Sequence, residues 1–287
     1  MKVESPKYRN YFELIGKSEK DIDERIDSIF NTFFYGSEET RIYHPVPDNT
    51  GYLEDTGNHD ARTEGMSYGM MYCVQTGHKE EFDRIWKWAY TNMWHKPGTD
   101  DPNEGYFAWS CALDGTHNAE GAAPDGEEFF AMSLFFASHR WGDGEGIFEY
   151  SRHAKDILSA CIHKGENGRP GESMWNRDNN QILFVAGMDF TDPSYHLPHF
   201  YDLFALWANE EDRDFFCKAA KTSREYLVKA CHPKTGMSAE YAEFDGTPMS
   251  RPLPWTNERH DCFYSDSYRT VANIGLDIFC ITVLKWG

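Results

Sequence analysis

The sequence predicts an all-α fold in which helical hairpins stack around a common core. Apolar residues recur at helical spacing along most of the chain, and no stretch of useful length alternates as a strand would. Long loops run into helices near positions 61, 124, 196 and 265, at intervals of 63, 72 and 69 residues. Helical hairpins of this length stack into toroids or solenoids. In a toroid, the loops that lead into the inner helices meet at one end and line a cleft.

The first predicted helix is defined by one apolar face that consists of Ile22, Ile26, Ile29, Phe30 and Phe33. Gly36 follows it at the position of a C-cap glycine. The same spacing predicts further helices over about 61–77, 82–93, 132–139, 148–163, 196–209, 210–230 and 265–284.

Two long stretches rich in glycine and proline, 97–124 and 232–262, separate these helices. Loops of that length inside a compact domain are usually functional. No low-complexity linker divides the chain, so we expect one domain over residues 1–287.

The net negative charge of the chain argues against some classes of binding partner. The 287 residues carry a formal charge of −19, from 28 basic and 47 acidic side chains. Such a surface repels phosphate backbones and anionic membranes, so we expect neither nucleic acid nor a membrane as a partner. A neutral sugar meets no such penalty.

Aromatic residues make up 16% of the chain. A large core absorbs many of them, but tyrosine and tryptophan also stack on pyranose rings, so the composition permits a sugar cleft.

The expected location is cytoplasmic. The N-terminus has no uninterrupted apolar run typical of a secretory signal, and no stretch approaches the roughly 20 apolar residues of a membrane span. The seven cysteines are scattered and form no CxxC pair, which is typical of reduced thiols.

Three carboxylates, Glu64, Asp125 and Asp266, stand at the junctions between long loops and helices. From the local pattern alone, Glu64 is equally well explained as an ordinary helix-start residue. For Asp125 the pattern favours a capping role, and for Asp266 a capping role or a pair with Arg269 is at least as good an explanation. A helix N-terminus favours the charged carboxylate. An acid role for Glu64 near neutral pH would therefore require desolvation by neighbours such as Met66, Tyr68 and Met70.

Two glycines, Gly65 and Gly69, lie in the first turns of the helix that carries Glu64. Each costs about 1 kcal/mol relative to alanine in a helix interior. Their presence predicts that another group approaches the backbone closely there.

No pattern predicts a metal or an organic cofactor. His196 and His199 have i,i+3 spacing, but Pro198 interrupts the helix face that a metal site would need. Glu258, His260, Asp261 and Cys262 are ligand types without a zinc spacing, and HExxH is absent.

Six segments in order resemble glycoside hydrolase family 8, and in particular those members that release xylose from the reducing end of xylo-oligosaccharides. The segments are GYLEDTGNHDARTEGMSYGMM, GYFAWSCALDGT, APDGEEFFAMSLFFASHRWGDG, MWNRDN, DPSYHLPHFYDLFALWANEEDR and FYSDSYRTVANIGLD. They extend over nearly the whole chain.

The resemblance implies an (α/α)6 toroid and hydrolysis of β-1,4-xylosidic bonds with inversion, without a cofactor. It implies that Glu64 is the general acid, that Asp266 is the general base, and that Asp125 holds the sugar in the central subsite. Inversion requires the two catalytic carboxyl groups to lie about 6.5–9.5 Å apart, because water enters between them. The resemblance further implies four substrate-binding residues: Trp109, Tyr195, Tyr264 and Arg269.

The sequence departs from the family after Asp277. An (α/α)6 toroid has twelve helices, the sequence predicts eight, and the ending IFCITVLKWG does not resemble the family. We therefore expect the last part of the toroid to be missing, together with a Leu-His-Pro loop that makes the relatives exo-acting. This leaves two alternatives open: an endo-acting xylanase, glucanase or chitosanase of the same family, or a catalytically impaired sugar-binding fragment.

Overall fold

Eight α-helices connected by long loops form the computed structural model of this chain, which describes residues 10–98 and 101–286 and the side chains up to residue 280. The helices are α1 (Glu19–Tyr35), α2 (Thr63–Thr76), α3 (Lys79–Asn92), α4 (Pro124–Trp141), α5 (Tyr150–His163), α6 (Pro198–Trp207), α7 (Arg213–Ala230) and α8 (Ser267–Trp286). The eight helices predicted from apolar spacing are confirmed. In the ending that departs from the family, the side chains from Ile281 onward lie outside the described residues.

Local chemistry explains where several helices begin and end. Ser18 starts α1 with a capping box, because its hydroxyl accepts from the Asp21 backbone N–H at 3.1 Å while the Asp21 carboxylate accepts from the Ser18 N–H at 3.2 Å. Gly77 ends α2 in the left-handed conformation, with φ +89°.

Gly36 ends α1 as predicted, but for a different reason. Its φ is −70°, which any residue can adopt. A Cβ at this position would lie 2.3 Å from the Thr32 carbonyl oxygen and 2.5 Å from the Thr40 hydroxyl. Space, and not backbone conformation, therefore requires glycine here.

The loops contain seven short strands that sequence periodicity could not detect: β1 (Tyr43–Val46), β2 (Thr50–Leu53), β3 (Ala61–Arg62), β4 (Ser110–Cys111), β5 (His117–Ala119), β6 (Trp175–Asn176) and β7 (Gln181–Ile182). β1 pairs with β2, β4 lies between β3 and β5, and β6 pairs with β7, all antiparallel. The β3–β4 pair joins the start of α2 to the loop before α4.

The helices pack as hairpins, and α1 through α7 share one hydrophobic core. The helices that follow the long loops, α2, α4 and α6, each pack against the next helix in the chain, and α2 also packs along α4. Large aromatic rings fill the space between them, such as Phe107 and Phe130 with centroids 4.6 Å apart. This arrangement is that of an (α/α)6 toroid, of which the structure describes eight helices.

Of the two glycines in the first turns of α2, only Gly69 confirms the predicted close approach of another group. A Cβ at Gly69 would lie 2.5 Å from Cδ1 of Leu53, so the end of β2 packs directly on the helix backbone. At Gly65 a Cβ would meet nothing within 4 Å. The first glycine therefore leaves open space, and the second admits a core side chain.

Two further facts concern the chain as a whole. None of the helices in the described residues is both long enough and apolar enough to cross a membrane. The seven cysteines are free thiols, with Cys73, Cys111 and Cys161 buried.

Candidate active site

A cleft of about 500 Å³ opens where the start of α2 faces the start of α8. Glu64, the second residue of α2, and Asp266, which immediately precedes α8, both line it. Arg269 and Tyr68 also line this cleft. The structure thus brings together the two predicted catalytic carboxyl groups, which lie 202 positions apart in the sequence.

Arg269 connects three groups around the cleft. Its Nη1 donates to the Asp125 carboxylate at 2.6 Å and to the Tyr68 hydroxyl at 2.8 Å. Its Nη2 lies 2.5 Å from Asp266 Oδ1. The pairing of Arg269 with Asp266 suggested by their spacing is present, and the structure adds Asp125 from a different helix.

Glu64 is in an environment that favours its protonated form. Burial raises the pKa of Glu64 to about 7, and the negative charge of Asp125 acts in the same direction. The Arg269 cation and a hydrogen bond from the Thr63 hydroxyl at 3.2 Å oppose this rise. The desolvation required for an acid is therefore present, and a second carboxylate strengthens it.

Asp125 is buried, with only 3% of its side chain exposed. Burial raises its pKa, while the adjacent Arg269 cation lowers it. Its second carboxylate oxygen accepts from the Gly126 backbone N–H at 3.0 Å. Asp125 lines a second cavity of about 310 Å³, which shares Tyr68 and Arg269 with the cleft.

Two glutamates beside Asp125 have structural partners inside the fold. Glu127 accepts from the Phe107 backbone N–H at 3.0 Å, and Glu128 accepts from the Tyr201 hydroxyl at 2.5 Å. Both are buried, and burial raises the pKa of each well above its usual range. They join the start of α4 to the preceding loop and to α6.

The segment before Asp266 is held in a tight conformation. Ser265 has φ +45°, a left-handed value uncommon for a residue with a side chain. The Ser267 hydroxyl donates to the Tyr264 carbonyl at 2.6 Å and accepts from the Tyr264 N–H at 3.1 Å. The Asp266 side chain stays 33% exposed and can therefore contact water in the cleft.

The other predicted substrate-binding residues lie outside the group that lines the cleft. Trp109 supports it indirectly, since its carbonyl accepts from the Thr63 N–H at 3.0 Å and its ring lies 5.0 Å from the Arg62 guanidinium carbon. Tyr195 is only 4% exposed and Tyr264 is 51% exposed. The Tyr264 backbone, through its bonds to Ser267, is the part that shapes the site.

Sequence reasoning missed several charged residues near the cleft. Glu54, Asp55 and Arg62 line it from the β2–β3 region. Asp192 is buried, and burial raises its pKa to about 8. These residues lie in loops or in strands of a few residues, where no helical periodicity indicates which way a side chain points. A cue for Asp192 was its place at the start of the DPSYHLPHF segment.

The histidines and the acidic cluster considered as metal ligands have other surroundings. His196 is buried, with Nδ1 2.9 Å from the Ser223 hydroxyl and Nε2 3.0 Å from the Thr191 hydroxyl. His260 pairs with Glu240 at 2.7 Å, whereas Asp261 pairs with Arg259 at 2.9 Å. Neither group converges on one point.

The helical toroid and the two carboxyl groups across its cleft define a glycoside hydrolase. The sequence model described as "Glycosyl hydrolases family 8" matches residues 48–274, and the chain belongs to that family.

Similar proteins agree with this assignment. The chain is 56% identical over 271 residues to the reducing end xylose-releasing exo-oligoxylanase of Halalkalibacterium halodurans, covering 94% of this chain and 67% of the relative. Rex8A from Paenibacillus barcinonensis, solved in complex with xylose, superposes with a TM-score of 0.90 at 54% identity, covering 94% of this chain and 70% of Rex8A. A mutant of Rex8A, solved with an arabinofuranosyl-xylotetraose, gives a TM-score of 0.89 at 53% identity, with coverage of 94% and 69%.

Proposed function

We propose that this chain hydrolyses β-1,4-xylosidic bonds in xylo-oligosaccharides, with inversion, and releases xylose from the reducing end. The relatives at 54–56% identity act at that end by name. The observation that carries the proposal is that Glu64 and Asp266 line one cleft in different environments. Glu64 is desolvated, with a pKa of about 7, whereas Asp266 is partly exposed and bonded to Arg269.

In the proposed mechanism, Glu64 donates its proton to the glycosidic oxygen as the bond from that oxygen to the anomeric carbon breaks. Asp266 accepts a proton from a water molecule that forms the new bond to the anomeric carbon on the opposite face. The released xylose leaves with the oxygen that Glu64 protonated. Proton exchange with water then returns Glu64 to its acid form and Asp266 to its base form.

Arg269 orients the Asp266 carboxylate through a contact of 2.5 Å. Its Nε is buried and has no hydrogen-bond partner among the described residues, which leaves a donor for a sugar hydroxyl or for water. Asp125 remains a predicted residue of the central subsite. Because Asp125 is bonded to Arg269, we propose that it also positions the guanidinium. Trp109, Tyr195 and Tyr264 remain predicted sugar contacts.

We also propose that residues 1–287 belong to a single catalytic domain and that the protein is cytoplasmic. Support for the domain comes from one hydrophobic core to which α1 through α7 all contribute. Support for the location comes from the free thiols, which are typical of a reducing compartment.

The test is product analysis with xylotetraose that carries an isotopic label on its reducing-end sugar. Reducing-end exo action releases labelled xylose and unlabelled xylotriose as the first products. Unlabelled xylose would show attack at the other end, and early xylobiose would favour the endo-acting alternative. Binding of xylotetraose without any hydrolysis would instead identify a catalytically impaired sugar-binding protein.

A further inference from the structure

Outside the cleft, three potential metal ligands converge beside the loop that precedes α4. His95 follows α3, His117 begins β5, and Glu120 comes directly after β5. One ligand atom from each lies within 4.8 Å of the other two. His117 Nδ1 is 2.7 Å from Glu120 Oε2, and His95 Nε2 is 3.6 Å from the same oxygen. None of the three lines the cleft.

The hydrogen bonds of His117 leave a lone pair at the centre of this group. Its Nε2 lies 2.6 Å from the Asn92 carbonyl oxygen, which can only accept, so Nε2 carries the proton. A neutral His117 then presents an unprotonated Nδ1 to the Glu120 carboxylate, which is also an acceptor. Two acceptors this close require a cation between them, either a proton or a metal ion.

His95 directs Nε2 to the same point, and it presents a lone pair there only in the tautomer that carries the proton on Nδ1. Its Nδ1 lies 3.5 Å from Asp101 Oδ2, a carboxylate that can hold the proton on that side of the ring. Its Nε2 lies 3.0 Å from the Glu120 carbonyl oxygen, which can only accept, so Nε2 carries the proton in the absence of a metal. Metal binding therefore requires this proton to move to Nδ1, on the side of Asp101. In that tautomer each histidine has an acceptor behind it, the Asn92 carbonyl for His117 and the Asp101 carboxylate for His95. Such partners fix the tautomer and orientation of metal-binding histidines.

We propose that His95 Nε2, His117 Nδ1 and Glu120 Oε2 bind one divalent transition-metal ion of the zinc class, with water completing the coordination. Two nitrogens and one carboxylate oxygen form a ligand set that Zn²⁺ accepts, at bond lengths of about 2.0–2.2 Å. Tetrahedral ligands at those lengths are about 3.3 Å apart. The two separations from Glu120 Oε2, 2.7 and 3.6 Å, bracket that value, and the ligand atoms of the two histidines lie within 4.8 Å of each other. The Glu120 side chain is 65% exposed, so it is able to adjust.

The bound metal would join the end of α3 to β5. This junction closes the loop that contains Trp109, whose carbonyl holds the Thr63 N–H next to Glu64. The metal therefore has a structural role, in which it holds the loop behind the active-site cleft. Because the ligands come from separate segments, with 21 positions between the two histidines, no short spacing in the sequence predicted the site.

The test uses the full chain, stripped with a chelator and titrated with Zn²⁺ by calorimetry at about pH 7.5. The variant is Glu120→Gln, which keeps the size of an exposed side chain and removes its charge. The matched control is Glu166→Gln. Glu166 forms an i,i+3 pair with His163 at 3.0 Å, but the other nitrogen of His163 faces Asp212 and no second imidazole.

We expect one Zn²⁺ per chain with micromolar or tighter affinity, a loss of at least about tenfold in Glu120→Gln, and no change in Glu166→Gln. Saturating Zn²⁺ should raise the melting temperature of the parent more than that of Glu120→Gln. Equal affinity of parent and Glu120→Gln would overturn the proposal, as would the absence of stoichiometric binding. Co²⁺ should give no thiolate charge-transfer band, and such a band would assign the binding to cysteines instead.

Discussion

Arg269 and Asp125 form an ion pair with 2.6 Å between Nη1 and Oδ2, although 144 positions separate them in the sequence. The same guanidinium contacts Asp266. The charge next to the proposed acid, Asp125, is therefore coupled through one cation to the proposed base. A change in any of these groups alters the electrostatic surroundings of the others, which leads to specific expectations for activity and pH dependence.

Removal of either proposed catalytic carboxyl group should abolish turnover without unfolding the protein. We expect Glu64→Gln and Asp266→Asn each to lower kcat on xylotetraose by about a thousandfold or more, because proton transfer to the leaving group or from water is lost. Glu225→Gln, an exposed change on α7, serves as the control and should keep full activity. Circular dichroism should be the same for all the variants. Activity within about tenfold of the parent would exclude the role assigned to that residue.

The first product should show inversion. Hydrolysis of a β-linked xylo-oligosaccharide by water activated at Asp266 places the new hydroxyl on the opposite face of the anomeric carbon. Proton NMR during the first turnovers should therefore detect the α-anomer at the new reducing end before mutarotation. An initial β-anomer would exclude this mechanism and would imply carboxyl groups about 5 Å apart.

The pH profile should report the proton on Glu64. Because the pKa of Glu64 is raised to about 7, kcat/KM should decline as pH rises through that value. Asp125→Asn removes a negative charge that raises this pKa and leaves Arg269 less neutralised. Both effects favour ionised Glu64. The decline of kcat/KM at the alkaline side of the pH profile should therefore occur at lower pH in Asp125→Asn than in the parent. The profile of Glu225→Gln should stay in place. An upward shift in Asp125→Asn would contradict the electrostatic coupling.

Substitution by alanine should destabilise the protein at Gly69 and stabilise it at Gly65. A Cβ at Gly69 would lie 2.5 Å from Leu53 Cδ1, and overpacking of that kind costs about 1–3 kcal/mol. At Gly65 there is open space, so alanine should stabilise α2 by up to about 1 kcal/mol through helix propensity. The free energy of unfolding measured in urea should be highest for Gly65→Ala, intermediate for the parent and lowest for Gly69→Ala.

Leu53→Ala provides a check on the cause. If contact with Leu53 is the reason for the loss, the cost of Gly69→Ala should be smaller when Leu53 is already alanine. If Gly69→Ala lowers the free energy of unfolding equally with Leu53 and with alanine at position 53, a neighbour other than Leu53 causes the loss.

The order of the helices was predictable from sequence because the information is local. Apolar residues three and four positions apart define one face, and residues such as Ser18 and Asp21 satisfy the helix ends within a few positions. The same local cues placed Glu64, Asp125 and Asp266 at helix starts, where a loop delivers each side chain. The resemblance to family 8 then assigned them roles that local pattern left open.

The tertiary structure decided which of these groups face one another and in what environment. Burial beside Asp125 raises the pKa of Glu64, and Arg269 joins α8 to α4. Likewise, the two histidines and Glu120 converge only because the loop folds back on α3. Desolvation and charge interactions depend on distances of a few ångströms between segments far apart in the chain, and helical periodicity carries no information about those distances.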